Sequence, residues 1–249
     1  MIVVDNLYKR FNHHDVLRGV SFSVNRGETA VVIGRSGCGK SVLLKHILGL
    51  MKPDSGSIRV TGEEITTMDH IGLDRMRCKF GMLFQGAALF DSLNVYENVS
   101  FGLRRVRKQP ERDIREKVAK VLSQVGLPGI EEKSISDLSG GMRKRVGLAR
   151  AIAMDPEILL YDEPTTGLDP IMSRAIDELI VKMKQELNVT SIVITHDITS
   201  VFRVAGRVFM MHDGVIIDGG TPEELKRTEH PVLRQFIDGA TEGPISVYQ

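Results

Sequence analysis

The sequence predicts an α/β protein with a mixed, mainly parallel sheet at its core. Three short runs are almost entirely apolar: TAVVIG at 29–34, EILLYDE at 157–163 and TSIVITHD at 190–197. Such runs are typical of strands that helices cover on both faces. Between the first two runs, apolar residues recur every three or four positions from Ile114 to Val125, and Gly126 follows as a C-terminal cap. This periodicity predicts a helix.

Two further patterns predict antiparallel strands at the ends of the chain. Polar and apolar residues alternate through the first thirty residues, as in VSFSV, and a turn follows at Gly27. Near the C-terminus, VFMMHDGVIIDGG consists of two apolar runs joined by Asp213-Gly214, a strong hairpin signal. We expect one α/β domain over residues 1–222, a helical subdomain inserted at about 86–156, and a helix and tail at 223–249.

The composition limits the possible classes of protein. Hydrophobic residues make up 42% and charged residues 26% of the 249, as in a globular chain. Because 33 Lys and Arg balance 32 Asp and Glu, no global field attracts nucleic acid or a membrane. Two cysteines form neither a disulfide framework nor a zinc site, which favours a reducing compartment. The longest uncharged run, 80–90, is too short to span a bilayer, and Asp5 interrupts any signal peptide.

The segment GRSGCGKS at 34–41 matches the phosphate-loop pattern G-x-x-x-x-G-K-[ST] between a buried strand and a helix. Its three glycines allow successive backbone amides to point at phosphate oxygens at a helix N-terminus. Lys40 is expected to reach the β- and γ-phosphates, and the Ser41 hydroxyl to hold Mg²⁺. The pattern predicts a nucleotide site.

Two acidic residues, Asp162 and Glu163, end the second apolar run. The carboxyl ends of parallel strands form the ligand crevice of such sheets. We expect Asp162 to bind the magnesium ion, directly or through water, and Glu163 to polarise the attacking water as a general base. The alternative is an ordinary acidic turn before Pro164.

His196 closes the third run at the same strand edge, which predicts a place beside the γ-phosphate, although a purely structural histidine is equally compatible. Gln85 is ambiguous by itself. A second phosphate-binding pattern lies in DLSGGMRKRVGLARA at 137–151, where Ser139, Gly140 and Gly141 stand at the start of a helix. The chain thus carries two such segments and only one evident nucleotide site.

Taken in order, GRSGCGKS, Gln85, LSGGM, ILLYDE, GLD and His196 resemble the nucleotide-binding subunit of ABC transporters over nearly the whole chain. The resemblance implies a P-loop NTPase of the ABC type that binds ATP with Mg²⁺ and hydrolyses it to ADP and phosphate. It also implies a head-to-tail dimer with a second copy of the chain. In that dimer, LSGGM of one copy closes over the ATP held by the other, which explains two phosphate-binding segments per chain.

The resemblance also assigns roles to single residues. Gln85 senses the γ-phosphate and Mg²⁺, Asp169 belongs to the loop that links the two sites across the dimer, and His196 is the switch histidine. Phe11 takes the position of the adenine-stacking aromatic, with Tyr8 as a competing choice.

The candidate residues form three sets. The catalytic set is Glu163, His196 and Gln85, and the metal set is Ser41, Gln85 and Asp162. The nucleotide-binding set consists of Phe11, Gly34, Arg35, Ser36, Gly37, Cys38, Gly39, Lys40, Ser41, Val42, Ser139, Gly140, Gly141, Asp162 and Asp169.

LFQGAALFDSLNVYENVSFGLR and the tail VLRQFIDGATEGPI resemble the ATPase of MCE-type lipid transporters, known as the Mla system in Gram-negative bacteria. The resemblance implies a separate membrane permease, a periplasmic MCE-domain protein, a small STAS-domain protein and a phospholipid cargo passing between inner and outer membranes. It places the chain at the cytoplasmic face of the bacterial inner membrane. In that subfamily the tail reaches the neighbouring ATPase subunit; docking on its own domain is the alternative.

Two departures and three competitors remain. Met142 stands where the signature usually has glutamine, and TTGLD differs from the commoner serine-alanine form.

An ABC importer of another small solute shares every catalytic motif. A soluble ABC-type ATPase of repair or translation lacks support, because no long coiled coil or second nucleotide domain is present. A P-loop GTPase or kinase is disfavoured by LSGGM and by the lack of an N-K-x-D motif.

Other features have simpler interpretations. The basic cluster Arg143, Lys144, Arg145 and Arg150 predicts a solvated helix face rather than a nucleic-acid site. His13 and His14 predict a surface turn, since no further ligands stand at metal spacing. Met210 and Met211 predict core positions. Cys38 is expected to be reactive, because a helix N-terminus favours the thiolate.

Overall fold

The computed structural model describes residues 1–246, which form two compact units. Unit 1 consists of Met1–Asp69 and the chain from Val193 onwards, and unit 2 consists of His70–Ile192. Within residues 1–246, no helix is both long enough and apolar enough to cross a bilayer.

The strands in chain order are β1 Ile2–Phe11, β2 His14–Val24, β3 Thr29–Ile33, β4 Ser55–Val60, β5 Glu63–Glu64, β6 Phe80–Leu83, β7 Ile158–Asp162, β8 Thr190–Ile194, β9 Arg207–His212 and β10 Val215–Gly220. The α-helices are α1 Lys40–Ile47, α2 His70–Arg77, α3 Val95–Gly102, α4 Glu111–Gln124, α5 Gly140–Ile152, α6 Pro170–Leu187, α7 Ile198–Val204, α8 Pro222–Lys226 and α9 Pro231–Asp238. A π-helical turn spans Leu103–Arg107 and a 3₁₀ turn spans Ile135–Asp137.

An antiparallel sheet with the strand order β2-β1-β4-β5 lies in unit 1. Strand β1 pairs with both β2 and β4 in antiparallel register. Along β2, Val20, Phe22 and Val24 are buried while the serines between them are exposed. This alternation is the one that predicted half-buried strands, and the prediction is confirmed.

The core strand of unit 1 is β3, all five residues of which are buried. Strand β9 runs parallel to β3, and β10 returns antiparallel to β9, so the pairing is mixed. The turn between them has left-handed residues at Asp213 (φ 47°) and Gly214 (φ 75°), which matches a two-residue hairpin turn of type I′. The predicted hairpin is confirmed, and so are the core positions of Met210 and Met211.

Unit 2 contains the parallel pair β6 and β7, with Phe80 opposite Ile158 and Leu83 opposite Tyr161. Strand β8 spans the division between the units, since residues 190–192 belong to unit 2 and 193–194 to unit 1. The predicted strands at 29–34, 157–163 and 190–197 are confirmed as β3, β7 and β8.

The helices of unit 2 include α4, whose buried residues Ile114, Val118, Val121 and Leu122 form the predicted apolar stripe. Gly126 follows with φ 72°, the left-handed conformation of a helix C-terminal cap. Helices α3, α4 and α5 all lie in the range 86–156 expected for a helical subdomain. The boundaries of the predicted domains stay a prediction.

The C-terminal segment folds back on α9 of its own chain. The Gln235 side chain is buried; its Nε2 donates to the carbonyls of Ala240 (3.2 Å) and Ile245 (3.0 Å), and its Oε1 accepts the Ile245 amide (2.7 Å). Arg35 donates to the carbonyl of Ser246. The described tail therefore contacts its own unit; the reach toward a neighbouring subunit stays a prediction, and residues 247–249 lie outside the described part.

The loop that precedes α3 is fixed by one buried amide. Asn98 is fully buried; its Oδ1 accepts the Phe90 amide (2.8 Å), and its Nδ2 donates to the carbonyls of Phe90, Leu93 and Asn94 at 3.0–3.2 Å. A buried amide that makes all its hydrogen bonds specifies one loop conformation.

We predict that Asn98→Ala lowers the free energy of unfolding by about 2 kcal/mol, because buried loop groups lose their partner. Ser123→Ala, at an exposed position of α4, is the control and should change stability by less than about 0.5 kcal/mol. Urea unfolding of both variants measures the difference. Equal stabilities would contradict the proposed role of the amide.

Candidate active site

The phosphate loop, residues 34–39, joins β3 to α1 in unit 1. Gly34, Gly37 and Gly39 have φ values of 148°, 80° and 106°, a region that side chains rarely adopt. A Cβ on Gly34 would lie 2.4 Å from the Met211 carbonyl oxygen, and one on Gly39 would lie 2.9 Å from a Val16 methyl. Glycine is therefore required at both positions by backbone conformation and by close packing.

Lys40 begins α1 and is only 6% exposed. Its Nζ donates to the carbonyls of Gly34 (2.7 Å) and Arg35 (2.8 Å), so the ammonium is enclosed by the loop that precedes it. No acidic residue occupies the first turn of α1, and the N-terminal end of a helix favours anions. This charge arrangement suits a phosphate group.

Cys38 corrects one expectation. Burial raises the pKa of its half-buried thiol, and the nearby charge of Lys40 only partly opposes that effect. The prediction that Cys38 is a ready thiolate is therefore wrong in direction, because desolvation outweighs the nearby positive charges and hydrogen bonds that favour the thiolate. The thiol lines a cleft with Val16, Arg18 and Asp213.

Two aromatic side chains of β1 compete for the adenine-stacking role. Phe11 is 39% exposed, and the Lys9 ammonium lies 5.6 Å from its ring centroid. Tyr8 is 46% exposed, but its hydroxyl lies against Gly19, where a Cβ would approach it to 2.8 Å. Both rings are accessible, and the assignment to Phe11 stays a prediction.

His196 is exposed in the bend between β8 and α7, in unit 1. The next residue, Asp197, caps α7, since its Oδ1 accepts the amides of Thr199 (2.8 Å) and Ser200 (3.4 Å). The cap fixes the chain direction immediately after His196.

Asp162 and Glu163 end β7 in unit 2, and both are half-buried. Glu163 has φ 49°, an uncommon conformation for a residue with a side chain. Thr166 holds it twice: the amide donates to the Glu163 carbonyl (3.3 Å), and the hydroxyl donates to Glu163 Oε2 (3.2 Å). The predicted acidic pair thus lies in a turn that orients the Glu163 carboxylate.

Gln85 is exposed in the turn that follows β6. The turn contains two left-handed alanines, Ala87 (φ 60°) and Ala88 (φ 48°). The Arg150 guanidinium of α5 donates to both of their carbonyls, at 2.9 and 2.8 Å. An arginine fork therefore holds this turn in its strained conformation.

Lys144, one helical turn into α5, is 5% exposed. Its Nζ donates to the carbonyl of Gln85 and to that of Glu163 (3.3 Å). Burial lowers the pKa of Lys144, and the negative charges of Asp162 and Glu163 oppose that shift. The prediction of a solvated basic face is thus wrong for Lys144 and Arg150, whose charges serve backbone carbonyls.

Ser139 is the N-cap of α5, and its Oγ accepts the Met142 amide (3.3 Å). Ser139 and Gly140 are exposed, and no acidic residue lies in the first turn of α5. A Cβ on Gly141 would approach the terminal methyl of the Met172 side chain to 2.3 Å, so a larger residue would require that side chain to move. The predicted second phosphate-binding pattern lies at an exposed helix N-terminus.

Asp169 is the N-cap of α6, where its Oδ1 accepts the amides of Ile171 (2.9 Å) and Met172 (3.0 Å). Asp169 therefore stabilises the start of α6, and its place in a loop that links two nucleotide sites stays a prediction.

Among the described residues, no cluster of three or more His, Cys, Asp or Glu could hold a metal ion. His13 is exposed in the turn between β1 and β2, as expected, whereas His14 is exposed as the first residue of β2.

The ABC transporter family profile matches residues 17–166. The chain belongs to the ABC transporter family. It is a nucleotide-binding ATPase subunit, and its fold is that of an ABC ATPase cassette.

Three relatives match nearly the whole chain. The probable ribonucleotide transport ATP-binding protein mkl of Mycobacterium tuberculosis is 40% identical, covering 99% of this chain and 68% of that protein. Protein TRIGALACTOSYLDIACYLGLYCEROL 3, chloroplastic, of Arabidopsis thaliana is 40% identical, with coverages of 98% and 75%. The intermembrane phospholipid transport system ATP-binding protein MlaF of Haemophilus influenzae is 38% identical, with coverages of 98% and 93%.

Two solved structures are similar in fold. The cbiO1 protein of Clostridium perfringens, part of the ABC transporter complex cbiONQ, is 35% identical with a TM-score of 0.85, covering 94% of this chain and 93% of that one. The dimeric bacterial ABC transporter cassette MJ0796 is 30% identical with a TM-score of 0.80, covering 87% and 96%.

Sequence reasoning missed the contacts of Lys144 and Arg150. Position 144 shares a helical face with the buried residues Gly147, Leu148 and Ala151, three, four and seven positions later. A lysine on an otherwise apolar, small-residue face was the signal that it is buried.

We predict that Cys38 reacts with iodoacetamide slowly at neutral pH, and that its labelling rate keeps rising above the ordinary thiol pKa, because burial disfavours the thiolate. Alkylation of Cys38 should weaken ATP binding by about tenfold or more, since the adduct enlarges a side chain of the phosphate loop. The experiment uses Cys78→Ser protein, so that only Cys38 reacts. Mass spectrometry follows labelling, and titration with a fluorescent ATP analogue measures affinity.

The matched control is Cys38→Ser protein labelled at the exposed Cys78, which should bind ATP normally. Unchanged affinity after stoichiometric labelling of Cys38 would contradict the prediction.

Proposed function

We propose that this chain is the ATP-hydrolysing subunit of an ABC transporter that moves phospholipid between the inner and outer membranes. The observation that carries the cargo assignment is the near end-to-end match with MlaF of Haemophilus influenzae, which covers 98% of this chain and 93% of that protein. MlaF of Escherichia coli supports it at 37% identity over 92% of this chain.

ATP binding is assigned first to the phosphate loop. The backbone amides of residues 34–41 would donate hydrogen bonds to the phosphate oxygens, and the Lys40 Nζ would turn from the Gly34 and Arg35 carbonyls to the β- and γ-phosphates. Exposed Phe11 offers a ring face to the adenine. The further residues proposed to line the phosphates are Ser36, Gly37, Cys38, Gly39, Ser41 and Val42.

Magnesium is assigned to Ser41, Gln85 and Asp162. The three side chains offer only oxygen ligands, namely a hydroxyl, an amide carbonyl and a carboxylate, and Mg²⁺ prefers this donor set. Bound magnesium would neutralise charge on the β- and γ-phosphates.

Hydrolysis is assigned to Glu163 as the general base. Its carboxylate accepts the Thr166 hydroxyl at Oε2 and can take a proton from water at a remaining lone pair. His196 is assigned to the γ-phosphate, and Gln85 is assigned both to the γ-phosphate and to communication with the membrane partner. The loop fixed by Asn98, which follows Gln85, offers the surface that a permease would contact.

A second copy of the chain completes the site. We assign Ser139, Gly140 and Gly141 to the partner's ATP, because they form a positively polarised helix end that is exposed at Ser139 and Gly140 and has no acidic residue in its first turn. Asp169 is assigned to the loop between the two sites. Dimeric MJ0796 supports this arrangement by fold similarity.

The proposed assembly contains an integral permease, which holds the chain at the cytoplasmic face of the bacterial inner membrane. A periplasmic MCE-domain protein and a small STAS-domain protein complete it, and nucleic acid has no part. The alternative cargo is another small solute. The similarity to mkl, a probable ribonucleotide transport ATP-binding protein, supports that alternative. A soluble ABC-type ATPase is the remaining alternative.

We predict that Glu163→Gln leaves ATP binding within about threefold of the wild type. Turnover should fall by about 100-fold or more, because the amide cannot accept the proton. Phosphate release at saturating ATP measures the rate, and titration measures affinity.

Glu178→Gln makes the same change on an exposed face of α6 and should hydrolyse ATP normally. Normal turnover in the Glu163 variant would discard the base assignment.

The cargo is tested by purifying the tagged chain at native expression levels from detergent-solubilised membranes, with mass spectrometry of proteins and lipids. We expect a polytopic permease, an MCE-domain protein and phospholipid. Recovery of a different permease without lipid would support the ATPase assignment and contradict the phospholipid cargo. Recovery only from the soluble fraction would overturn the transporter assignment.

A further inference from the structure

A buried lysine joins two loops that the proposed mechanism uses. Lys144 donates to the carbonyl of Gln85, in the turn after β6, and to the carbonyl of Glu163, in the turn after β7. With 5% of the residue exposed and two donors committed to carbonyls, the ammonium is unsuited to contacting substrate. Its contacts are with the backbone of the two residues whose side chains are assigned to the γ-phosphate and to water.

Both loops adopt backbone conformations that need external support. Glu163 is left-handed, as are Ala87 and Ala88 beside Gln85. Such residues persist where surrounding contacts over-determine them. Two side chains of α5 supply contacts here: Lys144 holds the Gln85 and Glu163 carbonyls, and Arg150 holds those of Ala87 and Ala88.

We propose that Lys144 is a positioning residue for ATP hydrolysis: it orients Glu163 and Gln85 through their backbone carbonyls and ties both to α5. The inference rests on the proposed function, because it takes Glu163 as the base and Gln85 as the γ-phosphate sensor. The same helix begins at Gly140, one turn before Lys144, with Ser139 as its cap. A shift of α5 when Ser139 engages the partner's ATP is therefore passed to the chain's own catalytic loops.

The neutral variant Lys144→Met keeps the length of the side chain and removes every donor. We expect kcat to fall by about tenfold or more, because displacement of a reacting group by about 1 Å can cost about 100-fold. The affinity for ATP should stay within about threefold, since the phosphate loop is unchanged.

Lys144→Arg is the rescue variant, because Arg150 shows that a guanidinium on this helix can bond two carbonyls at once. It should recover most of the lost kcat. Lys182→Met is the matched control: Lys182 also donates to a backbone carbonyl in unit 2, that of Gln124 at 2.9 Å, and it lies on α6. Its kcat should equal that of the wild type.

The decisive readout is a double-mutant cycle with Glu163→Gln, measured on the full chain with its co-purified membrane partners. Adding Lys144→Met to Glu163→Gln should lower the residual rate by a smaller factor than it lowers the wild-type rate, because only the contact with Gln85 then remains to be lost. A merely structural role would lower the rate by the same factor in both backgrounds.

Two results would overturn the inference: a wild-type kcat in folded Lys144→Met protein, or additive losses in the cycle. Thermal unfolding checks folding. If Lys144→Met does not fold, Lys144→Gln decides: its amide is neutral and one atom shorter than the lysine side chain, so kcat should fall, and a wild-type kcat there overturns the inference. A wild-type chain that does not hydrolyse ATP would instead refute the proposed function.

Discussion

Burial of short strands on both faces is the constraint on which the candidate site depends. The phosphate loop and two of the three candidate catalytic residues follow such strands: the phosphate loop follows β3, Glu163 follows β7, and His196 follows β8. Strands β3 and β8 are buried throughout, and β7 is buried up to its last residue. Because every strand residue before the turn is held by packing, the first residue after the strand begins from a defined position. The apolar runs thus determine where in the fold the phosphate loop and the side chains of Glu163 and His196 lie.

Two buried lysines solve the same electrostatic problem in different units. An ammonium removed from water loses much solvation and needs hydrogen-bond acceptors in return. Lys40 obtains the carbonyls of Gly34 and Arg35, and Lys144 obtains those of Gln85 and Glu163. In each case the hydrogen bonds that the ammonium needs also hold a loop: the phosphate loop for Lys40, and the turns after β6 and β7 for Lys144. In the proposed function, phosphate oxygens would replace the acceptors of Lys40, whereas Lys144 would keep its backbone acceptors throughout.

Patterns that depend on neighbouring residues were predictable from the sequence, and contacts between distant segments were not. The hairpin at Asp213-Gly214 and the loop ending in Lys40 carry their own backbone chemistry, so both are confirmed as elements of the fold. The predicted solvent exposure of Lys144 was wrong. Its acceptors are backbone carbonyls, which every residue has, so the sequence does not show which carbonyls a buried lysine will contact. For Cys38, burial opposes the nearby positive charges, and the sequence does not reveal which effect on the thiol pKa is larger.

The departure at Met142 becomes understandable at the start of α5. The Ser139 hydroxyl accepts the backbone amide of Met142, a group that any residue except proline supplies. The cap, and with it the exposed helix end, therefore does not depend on the glutamine that the family signature usually has. Lys144 follows two positions later, with its donors directed to the carbonyls of Gln85 and Glu163. The cap at one end of α5 thus depends on the backbone amide of residue 142, and the contact with the two catalytic loops depends on buried Lys144.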